Sequence, residues 1–277
     1  MEKSKIGRRF EGKVAIVTAS TQGIGFSIAE RLGLEGASVV ISSRRQTCLI
    51  LFISLRAEFE LKLIINFQRN VDEAIKKLKT QGIEALGLVC HVSNPQQRKN
   101  LIQQTLEKYG KIDVIVSNAA ANPSVDAILD TQESTLDKLW EINVKTSILL
   151  LQDAAPHLTK NSSIVFISSI SAFQPPSSMA MYGVTKTALL GLTKALASEM
   201  APHTRVNCVA PGTVPTHFAS FITDNDTIRD AIMEKTPLKR LGTVEDMAAA
   251  TAFLASDDAL YVTGETIVVA GGMSSRL

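Results

Sequence analysis

Short apolar runs alternate with longer amphipathic stretches along this chain. The apolar runs have the length and the Val and Ile content of buried β-strands, and they lie at residues 13–18, 37–41, 84–89, 112–117, 163–168, 205–209 and 266–269. Stretches with helical spacing of apolar residues separate them, at 23–35, 95–109, 132–152, 179–200 and 243–255. Apolar strands that alternate with helices are typical of a parallel sheet covered on both faces. The pattern therefore predicts an α/β fold with a doubly wound, Rossmann-type parallel sheet of about seven strands.

The chain of 277 residues has the length of one large α/β domain, and we predict a single domain over residues 1–277. Residues 47–69 interrupt the alternation, because the helix expected after the second strand begins only near Asn70. This segment is rich in Leu, Ile and Phe, but its uncharged part of about ten residues is too short to cross a bilayer. We interpret it as an atypical insertion, and its composition leaves open an extra amphipathic element, an oligomer contact or sequence that packs poorly.

Composition and charge narrow the possible partners. The formal charge of +2 is too small to favour nucleic acid, and no membrane span is expected. The three cysteines are far apart and do not have metal-ligand spacing, so we predict no metal site. The N-terminus has no apolar run, and we expect no signal peptide. The last residues, Ser275-Arg276-Leu277, are similar to the Ser-Lys-Leu peroxisomal address, which predicts the peroxisome, with the cytoplasm as an alternative, and an import receptor as a partner.

Tyr182 and Lys186 stand four residues apart in a predicted helix, so both side chains lie on one face. A cation about 4 Å from the phenol, at an effective dielectric constant of roughly 20, favours the phenolate by about 4 kcal/mol. Since one pKa unit corresponds to about 1.4 kcal/mol, we expect the pKa of Tyr182 to fall towards about 7. Ser169, on the neighbouring strand, would then hold a carbonyl or alcohol oxygen against the phenol. The alternative is an ordinary exposed pair on an amphipathic helix.

A glycine-containing turn follows the first predicted strand. Gly23 and Gly25 leave room for a pyrophosphate to approach the backbone, and the start of the predicted helix supplies free N–H groups. A nucleotide site is therefore predicted here, with a plain strand-to-helix turn as the alternative. After the second strand, Ser43 and Arg44 stand where an NAD-specific site has an acidic residue. Arg44 favours a phosphate and hence NADP, unless the segment is a solvated basic turn.

Together these residues resemble the short-chain dehydrogenase/reductase family. The likeness extends over about residues 10–272, leaving out 47–69. Residues 18–25 resemble the family's Thr-Gly-x-x-x-Gly-x-Gly, with Ala19 in place of the first glycine. Further matches to family segments are Ser117-Asn118-Ala119-Ala120, Ile142-Asn143-Val144, Pro211-Gly212, Thr216, and His91-Val92 where many members have Asp-Val.

The resemblance implies a role for each of these residues. Tyr182 is the acid that protonates the carbonyl oxygen, Lys186 lowers the pKa of Tyr182 and binds the nicotinamide ribose, and Ser169 orients the oxygen. Asn143 anchors a water that connects Lys186 to solvent. Ser168 or Ser171 in place of Ser169, and a kink or capping role for Asn143, remain open. The residues implied in cofactor binding are Thr18, Ser20, Gly23, Ile24, Gly25, Ser43, Arg44, His91, Val92, Asn118, Ala119, Tyr182, Lys186, Pro211, Gly212 and Thr216.

The implied function is the reversible, NADPH-dependent reduction of ketones and aldehydes to alcohols. Within the family the likeness is greatest to peroxisomal NADP-dependent carbonyl and retinal reductases, which implies a homotetramer and a small apolar carbonyl substrate such as retinal, an aromatic ketone or a dicarbonyl. Residues 215–237 are expected to form a lid that contains Phe218, Phe221, Ile222 and Ile228. Two other hypotheses remain open: a 3-oxoacyl-thioester reductase, and a catalytically impaired oligomeric member whose cofactor site is spoiled by residues 47–69.

Overall fold

The computed structural model describes residues 7–44 and 70–275, so the predicted insertion at 47–69 lies outside the described residues. The strands are β1 (Val14–Val17), β2 (Ser38–Ser43), β3 (Ala85–Val89), β4 (Ile112–Ser117), β5 (Leu158–Ile167), β6 (Thr204–Pro211) and β7 (Thr266–Val269). The α-helices are α1 (Gly23–Leu34), α2 (70–80), α3 (Pro95–Tyr109), α4 (Glu133–Trp140), α5 (Thr146–Ala154), α6 (Ala180–Met200), α7 (Ser220–Thr223), α8 (Asp226–Lys235) and α9 (Val244–Ala255). In these two ranges, no helix is long and apolar enough to cross a membrane.

The seven strands form one parallel sheet in the order β3-β2-β1-β4-β5-β6-β7, which confirms the predicted fold class. The strand order reverses beside β1, because β2 pairs with one edge of β1 and β4 pairs with the other edge. The connections that leave β1 and β4 therefore diverge to opposite faces of the sheet. Such a point leaves a crevice outside the carboxyl ends of the strands, where open α/β sheets bind their ligands.

Each central strand supplies side chains to two hydrophobic cores. In β1, Ala15 and Val17 pack with α1, α2 and α9, whereas Val14 and Ile16 pack with α3, α5 and α6 on the other face. Successive side chains of a strand point to opposite faces, so a sheet covered on both sides requires an unbroken apolar run. Helix α9, from the end of the chain, packs directly on α1, from its beginning.

The helix predicted at 132–152 is interrupted in the structure. Residues Glu141–Lys145 form a π-helical turn between α4 and α5. The Asn143 side chain occupies this turn and bonds outside the helix: its Oδ1 accepts from the Ala121 N–H at 2.8 Å, and its Nδ2 donates to the Ala121 carbonyl at 3.0 Å. Such single-turn π insertions are concentrated at functional sites. An amphipathic pattern does not reveal them, because the apolar face of the helix continues through the turn.

Arg205 on β6 is a buried cation that binds backbone carbonyls. Its Nη1 donates to the Leu254 oxygen at 2.8 Å, and its Nη2 donates to the Ser256 oxygen at 2.9 Å. These carbonyls lie at the C-terminal end of α9, where the helix dipole carries partial negative charge. Burial lowers the pKa of Arg205. The guanidinium thus joins the end of α9 to the sheet.

Candidate active site

A cleft of about 500 Å3 opens at the carboxyl ends of the central strands. One end is formed by the turn between β1 and α1 together with the end of β2. The other end is formed by the residues after β5, the first turn of α6 and the residues after β6. The described lining residues are Ala19, Thr21, Gln22, Gly23, Ile24, Gly25, Ser43, Arg44, Asn70, Asn118, Ala120, Ile167, Ser168, Ser169, Ile170, Ser171, Met179, Tyr182, Lys186, Pro211, Gly212, Thr213, Val214, Thr216, His217, Phe218 and Ala219.

The turn between β1 and α1 is tightly folded and requires its glycines. Gly23 has φ +58°, and a Cβ on Gly25 would lie 2.5 Å from both the Ala19 carbonyl and the Asn118 Nδ2. Ala19 itself has φ +51°, a left-handed conformation that disfavours any side chain. The family's first glycine stands at this position, so the departure noted in the sequence places an alanine where the backbone is strained.

The N-terminus of α1 opens into the cleft with free N–H groups. Its N-cap residue, Gln22, makes no side-chain capping bond, and the first turn contains no acidic residue. Unpaired N–H groups and the positive end of the helix dipole together attract an anion. This end of the cleft therefore has the chemistry that a pyrophosphate requires.

Thr18 stabilises the glycine turn through hydrogen bonds and does not line the cleft. Its Oγ1 accepts from the N–H groups of Asn118 at 3.0 Å and Ala119 at 3.1 Å. Asn118 in turn donates from Nδ2 to the carbonyls of Thr18 and Ala19, both at 3.0 Å. These bonds join the end of β1 to the end of β4. Of the three residues implied in cofactor binding here, only Asn118 is among the lining residues.

Ser20 also stabilises the turn instead of lining the cleft. Its hydroxyl is fully buried, donates to the Val17 carbonyl at 2.5 Å and accepts from the Ser42 N–H at 3.1 Å. The turn is thereby attached to β2. The Ser20 hydroxyl therefore holds the turn in shape, and the expected contact of Ser20 with a cofactor stays a prediction.

The end of β2 places Ser43 and Arg44 in the cleft, with Arg44 exposed. His91 and Val92 do not line the cleft. Val92 is buried, and the His91 ring bonds Ser93 through Nδ1 at 2.7 Å. Burial and the nearby Arg44 charge lower the pKa of His91. Neither residue is among the described lining residues, and their expected adenine contacts stay a prediction.

Tyr182, Lys186 and Ser169 meet at the other end of the cleft. Tyr182 and Lys186 lie one turn apart on α6, and the Lys186 Nζ is 5.6 Å from the centre of the Tyr182 ring. Ser169 follows β5, caps the short turn Ile170–Ala172, and hydrogen-bonds the Tyr182 phenol. The three side chains that the sequence singled out thus share one site. The Ser168 hydroxyl points away, because it donates to the Lys186 carbonyl at 2.8 Å.

Burial sets the protonation of this group. Tyr182 is 9% exposed and Lys186 is 2% exposed. Burial raises the pKa of Tyr182 above its usual value, and the Ser169 hydrogen bond opposes that rise. The expected fall towards neutrality is therefore wrong for this structure, where loss of hydration outweighs the Ser169 hydrogen bond. Burial also lowers the pKa of Lys186 to about 8, and its Nζ donates to the Ile167 carbonyl at 2.9 Å.

Asn143 is connected to α6 but does not line the cleft. Besides its two bonds to Ala121, its Nδ2 donates to the Thr185 Oγ1 at 3.0 Å. Thr185 lies next to Lys186 and donates to the Tyr182 carbonyl at 2.8 Å. Asn143 therefore fixes the π turn, the segment after β4 and the start of α6 relative to one another. Thr185 was not identified from the sequence, and its place between Tyr182 and Lys186 is the signal that could have indicated it.

Two further features near Tyr182 depend on packing. A Cβ on Gly183 would lie 2.6 Å from the Ser171 carbonyl and 2.7 Å from the Pro175 side chain, so α6 approaches the Ser169 segment only because residue 183 is glycine. The Phe218 ring lies 6.0 Å from the Tyr182 ring, between centroids, and forms part of the wall. Phe218 was expected in the lid; Gly183 was not identified.

The turn after β6 completes the cleft beside the nucleotide end. Pro211, Gly212 and Thr216 all line it, as expected. A Cβ on Gly212 would lie 2.8 Å from the Ala270 Cα, so this turn packs closely on the end of β7. Thr216 faces Gly23 across the cleft, and its Cγ2 is 3.5 Å from where a Gly23 Cβ would be. The glycine turn and the lid therefore stand on opposite sides of one narrow opening.

The fold and the site together define a nucleotide-dependent oxidoreductase of the short-chain type. The features that define it are the doubly wound sheet, the open N-terminus of α1 after β1, and the Ser-Tyr-Lys group in the same cleft. The family described as Enoyl-(Acyl carrier protein) reductase matches residues 55–274. The chain is 71% identical to Tropinone reductase-like 3 of Erythroxylum coca, over 99% of this chain and 98% of the relative. The chain belongs to the short-chain dehydrogenase/reductase family.

Other relatives agree over the full length. The Short-chain dehydrogenase/reductase SDRA of Arabidopsis thaliana is 67% identical, over 100% of both chains. Dehydrogenase/reductase SDR family member 4 of Homo sapiens is 43% identical, over 100% of this chain and 94% of the relative. A crystal structure of a short-chain dehydrogenase from Burkholderia cenocepacia in complex with NADP has a TM-score of 0.81 and 26% identity, and it covers 95% of this chain and 98% of that one.

Proposed function

We propose that this protein is an NADPH-dependent carbonyl reductase that converts apolar ketones and aldehydes to alcohols, reversibly, with Tyr182 as the proton donor. The observation that carries the proposal is the meeting of Tyr182, Ser169 and Lys186 in one cleft with the open N-terminus of α1. The short-chain structure solved with NADP and the 43% identity to SDR family member 4 support it.

The residues present fit a nicotinamide dinucleotide. The uncapped N-terminus of α1 would hold the pyrophosphate, and the turn of Pro211, Gly212 and Thr216 would hold the nicotinamide end. Arg44, exposed at the end of β2, offers a planar pair of donors to a ribose phosphate. When bound, NADPH supplies the hydride. Thr18, Ser20 and Ala119 would act indirectly, by holding the turn in shape.

The protein's own side chains supply and stabilise the proton transfer. Because its pKa is raised, Tyr182 carries its proton at neutral pH, which is the form that can protonate a carbonyl oxygen. The Ser169 hydroxyl holds the same oxygen as negative charge develops on it. The Lys186 ammonium stabilises the phenolate that remains. Its bond to Ile167 uses one of three N–H donors, which leaves two for ribose hydroxyls.

The direct test removes one oxygen atom. Tyr182→Phe should lower kcat for an aromatic ketone by a factor of about 10²–10⁴, the usual contribution of a positioned acid, while NADPH still binds. Tyr109→Phe is the matched control, since Tyr109 bonds Glu84 on the surface, away from the cleft, and should keep full turnover. NADPH binding is followed by the fluorescence of Trp140, the only tryptophan, and by calorimetry. Full turnover by Tyr182→Phe would reject the assignment.

The preference for NADP has its own test. Arg44→Ala should weaken NADPH binding by about 1.5–3 kcal/mol, the range for a hydrogen bond to a charged group, and should leave NADH binding unchanged. Equal effects on both cofactors would show that Arg44 does not contact the ribose phosphate. No detectable binding of either cofactor to the unmodified protein would favour the impaired-member hypothesis, in which residues 47–69 spoil the site.

Two other substrate classes are alternatives to an apolar ketone. The family description names an Enoyl-(Acyl carrier protein) reductase, which favours an acyl thioester, and a 3-oxoacyl thioester is the ketone of that class. The name Tropinone reductase-like 3 points to a bicyclic amino ketone. Relative kcat/KM values for an acyl thioester, tropinone, retinal and an aromatic ketone would separate these possibilities. The proposal expects retinal and the aromatic ketone to be preferred.

Location and assembly belong to the same proposal. Ser275-Arg276-Leu277 would serve as a peroxisomal address, and an N-terminal fluorescent fusion should lose its punctate distribution when these three residues are removed. By likeness to its family the enzyme would be a homotetramer. Sedimentation of the purified protein over a range of concentrations tests that expectation.

A further inference from the structure

The substrate end of the cleft has an unusual balance of charge. Its described wall includes the apolar side chains of Ile170, Met179, Val214, Phe218 and Ala219, together with Ser169 and Tyr182. The basic side chains among the described lining residues are Lys186, Arg44 and His217, and no described lining residue is Asp or Glu.

Two carboxylates of α8, in the predicted lid region, have a partner outside the described cleft lining. In α8, Asp226 contacts the Arg229 guanidinium at 2.7 Å, and its side chain is 81% exposed. Asp230 contacts the same guanidinium at 3.5 Å. Both carboxylates are exposed and pair with this one guanidinium. A cation that enters the cleft would lose its hydration shell, and no described lining carboxylate would compensate for that loss. The Lys186 ammonium would also repel the cation.

From this arrangement we infer that the cleft selects carbonyl substrates by charge, accepting uncharged ketones and excluding ketones that carry a positive charge. The inference rests on the proposed function and specifies the substrate class of the same site. An uncharged ketone gains from the apolar wall and needs only Ser169 and Tyr182 for its oxygen. For a cationic ketone of the same shape, desolvation and repulsion by Lys186 make the free energy of binding less favourable.

An isosteric pair of ketones tests this selectivity in the enzyme loaded with NADPH. The uncharged member is a cyclohexanone with a dimethyl-substituted carbon opposite the carbonyl, and the cationic member has a dimethylammonium nitrogen at the same place. The two differ by one charge and not in shape. Their intrinsic reactivities are compared by reduction with borohydride, and the enzymatic kcat/KM ratio is divided by that chemical ratio. We expect the corrected ratio to favour the uncharged ketone by roughly tenfold or more.

A matched pair of variants tests the cause. Ala219 lines the cleft, so Ala219→Glu adds a carboxylate to the wall, and Ala219→Gln adds the same volume without charge. The corrected ratio should shift towards the cationic ketone in the Glu variant relative to the Gln variant, by roughly tenfold. Equal ratios in these two variants, or a corrected ratio near one in the unmodified enzyme, would overturn the inference. Failure to reduce either ketone, with NADPH bound, would instead reject the proposed function.

Discussion

Gly183 and Gly191 lie on the same helix, and alanine at these two positions is expected to have opposite effects. At Gly183 a Cβ would lie 2.6 Å from the Ser171 carbonyl, about 0.8 Å inside ordinary contact distance, and 2.7 Å from the Pro175 Cβ. At Gly191, which is exposed, a Cβ would meet nothing within 4 Å. The two substitutions are chemically identical, so any difference between them measures the surroundings.

The magnitudes follow from these contacts. Overpacking of a well-packed site typically costs 1–3 kcal/mol, so Gly183→Ala should lower the free energy of unfolding by about 2 kcal/mol. Gly191→Ala should raise it by about 0.5–1 kcal/mol, because alanine loses less backbone entropy in a helix. Relief of the clash moves α6 away from the segment that holds Ser169 by up to about 0.8 Å. A displacement of about 1 Å can cost 10²-fold in rate, so we expect kcat to fall roughly 10- to 100-fold in Gly183→Ala.

The assay combines urea denaturation with steady-state reduction of an aromatic ketone at saturating NADPH. The KM for NADPH should change less than kcat, because the glycine turn at the other end of the cleft is untouched and, of the proposed cofactor contacts, Tyr182 and Lys186 lie on the displaced helix. Gly183→Ala with unchanged stability and unchanged kcat would refute the argument that glycine at position 183 sets the approach of α6 to Ser169. A loss of stability in Gly191→Ala would refute its use as a control.

Three further predictions concern charge and strain. Lys186→Met should abolish reduction and yet raise the free energy of unfolding at neutral pH by up to about 3 kcal/mol, because the pKa of Lys186 falls from 10.5 to about 8 on folding. Between pH 8 and pH 10.5 the unfolded chain therefore binds one more proton than the folded chain, and the stability of the unmodified protein rises with pH. Urea denaturation across that range should show this rise in the unmodified protein and not in the variant. Arg205→Met should destabilise by about 3 kcal/mol, since the carbonyls of Leu254 and Ser256 lose buried charged donors; an unchanged unfolding midpoint would contradict this. Ala19→Gly should stabilise by about 1 kcal/mol, because φ +51° is unfavourable for alanine; calorimetry should show a higher Tm, and a lower Tm would contradict the assignment of strain.

The sequence was most informative where a property depends on periodicity or spacing. The seven strands follow from apolar runs, and the four-residue spacing of Tyr182 and Lys186 places both on one face of α6. Properties that depend on distant partners could not be obtained in this way. The π turn exists because Asn143 bonds Ala121, 22 residues earlier in the chain. The pKa of Tyr182 depends on how completely the surrounding chain excludes water, which no local pattern specifies.

The residues expected to bind the cofactor also separate into those that local sequence places correctly and those whose role depends on the three-dimensional surroundings. Gly23, Gly25 and Arg44 were expected in the cleft from their positions after β1 and β2, and the structure places them there. Thr18 and Ser20 occur in the same motif, but their hydroxyls face inward and bond the backbone. A motif identifies the residues that a turn requires; only the directions of the side chains separate those that face a ligand from those that hold the turn.

The packing of α9 on α1 has a consequence for how the chain can be made and shortened. Helix α1, near residue 30, can pack on α9 only when residues near position 250 have been synthesised. Strand β1 can pair with β4 only after residue 114 has been synthesised. Long-range pairings of this kind slow folding and leave apolar surface open meanwhile. A polypeptide that ends before α9 would therefore leave apolar surface of α1 uncovered, and we expect it to aggregate.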